Sequence, residues 1–287
     1  AALRHAQDKL VMRERLAALG VPVPPFTPVA TLRDVEGFAK HVGWPLVLKA
    51  ATGGYDGKGV WIVRDTAEAE DVLASGIRLV AEQLVPLQRE LAAVVARSPY
   101  GQGAAWPVVE TVQEDGICVE VVAPAPDLSE ERSLEAQGIA LRLADELDVV
   151  GVLAVELFET ADGLLVNELA MRPHNSAHWT IEGARTSQFE QHLRAVLDYP
   201  LGATTLTAPW TVMANLLGGD DGDEHLDRRL HLLMGHDPAL KVHLYGKTVK
   251  PGRKIGHVTA LGDDLPAVRR RAQVGAHYLR TGQWLDA

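Results

Sequence analysis

Cysteine is nearly absent: Cys118 is the one example in 287 residues, which excludes an internal disulfide and a cysteine-rich metal site. Long apolar runs are missing too. None approaches the roughly 18 residues of a membrane span, and no basic-plus-apolar leader opens the chain, so the expected compartment is the cytoplasm. Positive charge is in short supply, with 28 Lys and Arg against 38 Asp and Glu and a formal net charge of −10. Such a balance argues against a general nucleic-acid binder, which needs a basic surface, but not against a local basic pocket for a small anion. There is no nucleophile elbow of a Ser-His-Asp hydrolase, no GK[ST] ending of a Walker A loop and no HExxH zinc helix. Repeats and low-complexity segments are absent as well. Apolar residues make up 47% of the chain, enough for a sizeable core.

The hydropathy pattern predicts an α+β architecture. Asp8 caps a helix running to about residue 19, with Gly20 past its end. Prolines at 22, 24 and 25 then make a stiff connector. Thr31 and Asp34 form a capping box for a helix to Gly43. Strands follow at 45–50 and 59–64 around a glycine-rich loop, then a helix at 66–75 and a strand at 79–85. From residue 90 the texture is that of antiparallel strands, 89–98, 104–112 and 117–125, and Ser129 opens an amphipathic helix to about 147. A hairpin over 151–171 turns at Ala161-Asp162-Gly163, and Ser187 caps a helix to Leu197. Strands near 211–217, 240–245 and 254–261 precede a terminal helix from about 265. The units expected are a connector helix (1–27), a small lid (28–84), a core of antiparallel sheet (85–207) and a C-terminal domain (208–287).

Four clusters carry chemistry. The loop Thr52 to Gly59 holds four glycines, with Lys49 before it and Lys58 within it. This suits a phosphate, although a glycine loop alone is equally a tight hairpin. If the turn 161–163 closes the second hairpin, Glu156 faces Glu168 about 5 Å away. Paired carboxylates in apolar strands point to Mg²⁺ beside nucleotide phosphates, with Asn167 able to offer an oxygen if the strand bends; two solvated glutamates are the plainer reading. Arg172-Pro173-His174-Asn175-Ser176-Ala177-His178 reads as a substrate loop with Arg172 as an anion fork. Lys247, Lys250, Arg253 and Lys254 place four cations in eight residues, which by itself also describes a solvated turn.

In this order the strings VLKAATGGYDGKGVW, AEQLVPLQRE, VVGVLAVELF, LLVNELAMRPHNSAHWT, SQFEQHLRAVLDYPLG and KPGRKIGHV resemble the ATP-grasp superfamily, and within it the N5-carboxyaminoimidazole ribonucleotide synthetases of purine biosynthesis. The resemblance spans nearly the whole chain. It implies an ATP-grasp fold and a Mg²⁺-dependent carbon–nitrogen ligase acting on ATP, bicarbonate and aminoimidazole ribonucleotide, with carboxyphosphate as intermediate, and it implies a homodimer. By the same resemblance Lys9 and Lys49 approach the nucleotide, and the loop Gly54, Tyr55, Asp56, Gly57, Lys58 and Gly59 closes over its phosphates. Glu82, Gln83, Leu84 and Val85 lie on the strand that holds adenine, and Glu90 holds the ribose. Glu156 and Glu168 hold Mg²⁺ with Asn167 nearby. Tyr55, Lys58, Arg172, His174, Asn175 and Ser176 surround bicarbonate and carboxyphosphate, while Lys250, Arg253 and Lys254, with Arg172 and His174, meet the ribonucleotide. Met171 and Ala177 depart from the Pro and Gly usual in the family. The family also opens with a Rossmann-like domain that has no counterpart here, so poor turnover of the ribonucleotide is expected. Two alternatives stand beside this reading: a formate-dependent glycinamide ribonucleotide transformylase, and an ATP-binding fragment without complete activity.

Overall fold

A computed structural model describes residues 2–54, 57–219 and 225–285. The chain enters through a single helical turn, α1 (Arg4–Gln7), into α2 (Lys9–Ala18). Asp8 caps α2 as its sequence predicts, its Oδ1 accepting from the N–H groups of Leu10 and Val11 at 3.1 Å each. The lid then comprises β1 (Phe26–Val29), α3 (Leu32–Val42), β2 (Leu46–Ala50), β3 (Val60–Val63), α4 (Thr66–Leu73) and β4 (Leu79–Gln83). Its four strands are ordered β1-β4-β2-β3, all antiparallel. The capping box of α3 is present. Strand β1 has no counterpart in the sequence reading, which sees only extended connector there. Pairing with β4 makes it an edge strand, the position where Pro28 is tolerated.

The rest of the chain builds one nine-stranded sheet from β5 (Leu87–Arg97), β6 (Gly103–Ala105), β7 (Val109–Glu114), β8 (Ile117–Ala123), β9 (Gly151–Thr160), β10 (Gly163–Ala170), β11 (Trp210–Leu217), β12 (Lys241–Leu244) and β13 (Lys254–Gly262). Its order is β10-β9-β5-β7-β8-β11-β13-β12, with β6 beside β5. The helices are α5 (Glu130–Glu146), α6 (Thr180–Gly183), α7 (Gln188–Val196), α8 (Leu226–His236) and α9 (Leu265–Thr281). Three details differ from expectation. The strand expected at 104–112 splits into β6 and β7 around Trp106, whose buried indole donates to the Thr186 carbonyl at 3.0 Å. Helix α8 lies where no helix is expected. The C-terminal strands join the core sheet directly, because β11 pairs with β8 from Thr211↔Ala123 to Ala214↔Glu120.

Strands β5 and β9 are covered on both faces, which explains why LAAVVA and VLAVEL read as unbroken apolar runs instead of alternating. Leu91, Ala93, Val95, Leu153 and Val155 pack under Ala136, Ala140 and Leu143 of α5 and Met12 and Leu16 of α2. Ala92, Val94, Val152 and Ala154 pack on the other side, with Trp106, Trp179 and Ala195. Among the described residues no helix is long and apolar enough to cross a membrane.

Candidate active site

The hairpin β9–β10 brings the two glutamates together by a different route from the one expected. Its turn is one residue shorter: Thr160 faces Gly163, and Val166 faces Leu157. The register then shifts between Val166 and Glu168, so that Asn167 is the extra residue of a bulge and Glu168 faces Glu156 after all. The bulge aims Asn167 at the lid, where its Oδ1 accepts from Lys49 Nζ at 3.1 Å. The Val166 backbone is tied to the connector, its N–H donating to the Pro22 carbonyl at 2.8 Å and its carbonyl accepting from Arg13 Nη1 at 2.9 Å. Thus the outer edge of β10 is covered.

Arg13 is the residue that sequence reasoning misses. It is fully buried, and its Nε donates to Glu82 Oε1 at 2.7 Å, while Lys49 Nζ meets Glu82 Oε2 at 2.7 Å. Burial raises the cost of a charged Glu82, but Lys49 and Arg13 outweigh it and hold the carboxyl below its usual range. The only local sign was an arginine standing between Leu10 and Leu16 on an apolar helical stripe. Glu82 is therefore turned inward, its carboxylate shared by Arg13 and Lys49. Lys9 Nζ pairs with Glu168 Oε2 at 3.0 Å. A cleft of about 390 Å³ opens beside that pair, lined also by Thr52, Gly53 and Gly54.

Glu90 and Glu156 share one face of the β5–β9 pair, since Ala92 faces Glu156 and Glu90 faces Phe158. Burial pushes the Glu90 carboxyl up. Burial, then Glu168 and Glu90, push Glu156 up to about 7, against the opposing pull of Lys9 and Lys254. Lys254 stands at the start of β13, within electrostatic reach of Glu156. Lys250 and Arg253 stay exposed on the turn before it, where the Arg253 N–H donates to the Lys250 carbonyl at 3.0 Å. His174 Nε2 stands 3.5 Å from Glu156 Oε1, and its Nδ1 is 2.9 Å from Ser176 Oγ. Buried Gln188 holds the His174 backbone at both ends: its Oε1 accepts from the N–H and its Nε2 donates to the carbonyl, each at 2.8 Å. Asn175 forms a reciprocal amide pair with Asn215. Arg172 is exposed and donates to the Pro173 carbonyl at 3.0 Å. His178 stacks on His257 and Phe189. Among the described residues no group of three or more His, Cys, Asp or Glu is placed to hold a metal ion.

In the glycine loop, Tyr55 and Asp56 lie outside the described residues. Gly57 and Gly116 meet backbone to backbone: a Cβ on Gly116 would fall 2.9 Å from the Gly57 Cα, and both residues have positive φ. The loop therefore rests on the β7–β8 turn. Gly116→Val is expected to push it off, raising KM for ATP about ten-fold while leaving the thermal midpoint of the core within a few degrees. An unchanged KM would show that the contact does not position the loop.

The sequence profile of the ATP-grasp domain matches residues 14–189, and that of the phosphoribosylaminoimidazole carboxylase C-terminal domain matches residues 211–271. The N5-carboxyaminoimidazole ribonucleotide synthase of Mycobacterium tuberculosis is 59% identical over 291 residues, covering 99% of this chain and 68% of that protein. The chain belongs to the N5-carboxyaminoimidazole ribonucleotide synthase family. Two solved members show the same fold. The synthetase from Thermus thermophilus superposes with a TM-score of 0.84 at 39% identity, over 100% of this chain and 75% of that one. The Aspergillus clavatus synthase in complex with ADP and 5-aminoimidazole ribonucleotide gives 0.87 at 32% identity, over 97% and 74%. An ATP-grasp fold, with its lid and its antiparallel core, is thus the frame that carries the facing glutamates and the lid lysine bonded to Asn167 in this synthase-family chain.

Proposed function

We propose that this chain carries out the ATP-dependent carboxylation of 5-aminoimidazole ribonucleotide by bicarbonate. The observation that carries the reading is the facing pair Glu156 and Glu168 beside Lys49 and His174. In the reaction, a bicarbonate oxygen takes the γ-phosphoryl group of ATP, giving ADP and carboxyphosphate. The exocyclic amine then bonds to the carboxyl carbon, inorganic phosphate leaves, and the amine gives up a proton.

The chain's own residues bind and orient. Lys49, aimed by Glu82 and Asn167, meets the phosphates, and the loop from Gly54 to Gly59, with Tyr55 and Lys58, covers them. The inward turn of Glu82 leaves adenine to Gln83 and the Leu84-Val85 segment, while the carboxyl of Glu90 suits a ribose hydroxyl. Mg²⁺ fits the glutamate pair: burial and then the Glu168 charge raise the Glu156 carboxyl, a divalent cation offsets both, and oxygen donors are its preference. When bound it neutralises phosphate charge, and Glu156 and Glu168 would hold it, with Asn167 beside them. Arg172, His174, Asn175 and Ser176 hold bicarbonate and the acyl phosphate, and Lys254, with Lys250 and Arg253 at the rim, takes the ribonucleotide phosphate. The surroundings that go with this reading are a homodimer in the cytoplasm.

The test is ATP hydrolysis by the purified chain with bicarbonate, with formate, and with bicarbonate plus aminoimidazole ribonucleotide. Bicarbonate is expected to stimulate hydrolysis and formate is not. Stimulation by formate alone would replace the proposal with a formyl-phosphate enzyme.

A further inference from the structure

Three side chains outside the proposed catalytic set form a straight row across the C-terminal strands. Asn215 of β11 is the direct cross-strand partner of His257 of β13, which is in turn the partner of His243 of β12. Each meets one residue of the segment that follows β10. Asn215 and Asn175 exchange amide hydrogen bonds of 2.8 Å in both directions. The ring of His257 stacks on His178, centroids 5.3 Å apart and planes 19° from parallel. His243 Nε2 lies 2.6 Å from Glu182 Oε1.

The match is geometric. Residues 175, 178 and 182 are spaced by three and four along a stretch of 3₁₀ and α-helical turns, so they lie on one face and climb about 5 Å per step. Neighbouring strands in a sheet are about 4.8 Å apart. One helical stripe therefore sits in register with one row of the sheet, three contacts for three strands. The row is itself braced: Asn215 Nδ2 donates to the Cys118 carbonyl at 2.9 Å, and Tyr245 Oη and His257 Nδ1 share a hydrogen bond of 2.8 Å. His178 Nδ1 accepts from Gln188 Nε2, the same amide that holds the His174 carbonyl.

We infer that the row Asn215–His257–His243 positions the segment 174–182, so that the C-terminal strands set where His174, Asn175 and Ser176 stand relative to Glu156. Its functional part rests on the proposed reaction. Burial, and the neighbouring histidines, hold His257 at about 3 and His178 at about 4, so the stack is uncharged at neutral pH and acts through shape and hydrogen bonds. His257 and His243 act as positioning residues, through His178 and Glu182.

Two readouts test this in the full chain: amide hydrogen exchange over residues 174–182 without substrates, and the kinetics of bicarbonate-stimulated ATP hydrolysis. His257→Ala is expected to speed exchange there and lower kcat roughly 100-fold, the scale of an ångström-sized misplacement, with KM for ATP unchanged. His257→Phe keeps the stack and is expected to recover most of both. His243→Gln, on the half-exposed edge strand, is expected to do the same more mildly, about ten-fold, and decides the matter if His257→Ala does not fold. Exchange at 174–182 equal to that of the unmodified chain in His243→Gln and in any folded His257→Ala overturns the inference, as does a kcat loss matched by an equal rise in KM for ATP. Unmodified protein whose hydrolysis ignores bicarbonate would overturn the proposed reaction, and the exchange measurement would still judge the row.

Discussion

Glu156→Gln is expected to weaken Mg·ATP binding roughly 100-fold, the scale of losing a charged ligand contact, and yet to stabilise the metal-free protein at pH 8. The two effects have one cause. In the folded chain burial and Glu168 hold the Glu156 carboxyl at about 7, against an ordinary value of 4.5. Between those two pH values the folded state keeps a proton that the unfolded state has released. Stability therefore falls as pH rises from about 4.5 through about 7, and stays lower above it. The side chain is 33% exposed, so solvent screening reduces the penalty to about 1 to 2 kcal/mol. Glutamine at this position removes the slope. Thermal midpoints measured from pH 4.5 to 8 should rise relative to the unmodified protein only toward the alkaline end, and isothermal titration with Mg·ATP should show the lost affinity. A midpoint difference that does not change with pH, or undiminished Mg·ATP affinity, would remove Glu156 from the metal site. Glu168→Gln should lose affinity likewise but gain less stability, because Lys9 loses its partner.

Glu82→Gln is the most damaging single substitution expected. It leaves Arg13 and Lys49 buried without their shared carboxylate, and breaking a buried ion pair from one side costs about 3 to 5 kcal/mol. The thermal midpoint should drop on the order of 10 °C. ATP affinity should drop with it, because Lys49 is no longer aimed. Adding Arg13→Met to Glu82→Gln should restore part of the stability by removing one of the two stranded charges, while leaving ATP affinity low. Strictly additive losses in the double variant would mean that the three side chains do not act as a unit.

Much of the fold follows from local signals: Asp8 and Thr31 start their helices, Ser187 caps α7, and Ala161-Asp162 turns the second hairpin. The glycine loop, the glutamates and the loop at 172–178 are likewise legible, because each concentrates unusual residue types in a short string. The facing of Glu156 and Glu168 was readable only by a compensation. The turn is one residue shorter than its sequence suggests, and the bulge at Asn167 restores the register. Nothing in the hairpin's own string announces such a bulge; it is stabilised from outside the hairpin, by Pro22 and Arg13 on the outer edge and Lys49 on Asn167.

By itself, then, the sequence determined which short segments turn, cap and alternate, and which of them concentrate glycine, carboxylate and cationic side chains, since those properties depend on neighbours within a helical turn or a hairpin. The tertiary structure alone decided that Glu82 faces Arg13 and Lys49, that Arg13 links connector, lid and core, that β11 continues the core sheet, and that Asn215, His257 and His243 line up beneath the segment 175–182. Those pairings join residues dozens to more than a hundred positions apart. They arise from strand order and register, and from the need of buried charges and amides for partners, neither of which is visible within a local window of sequence.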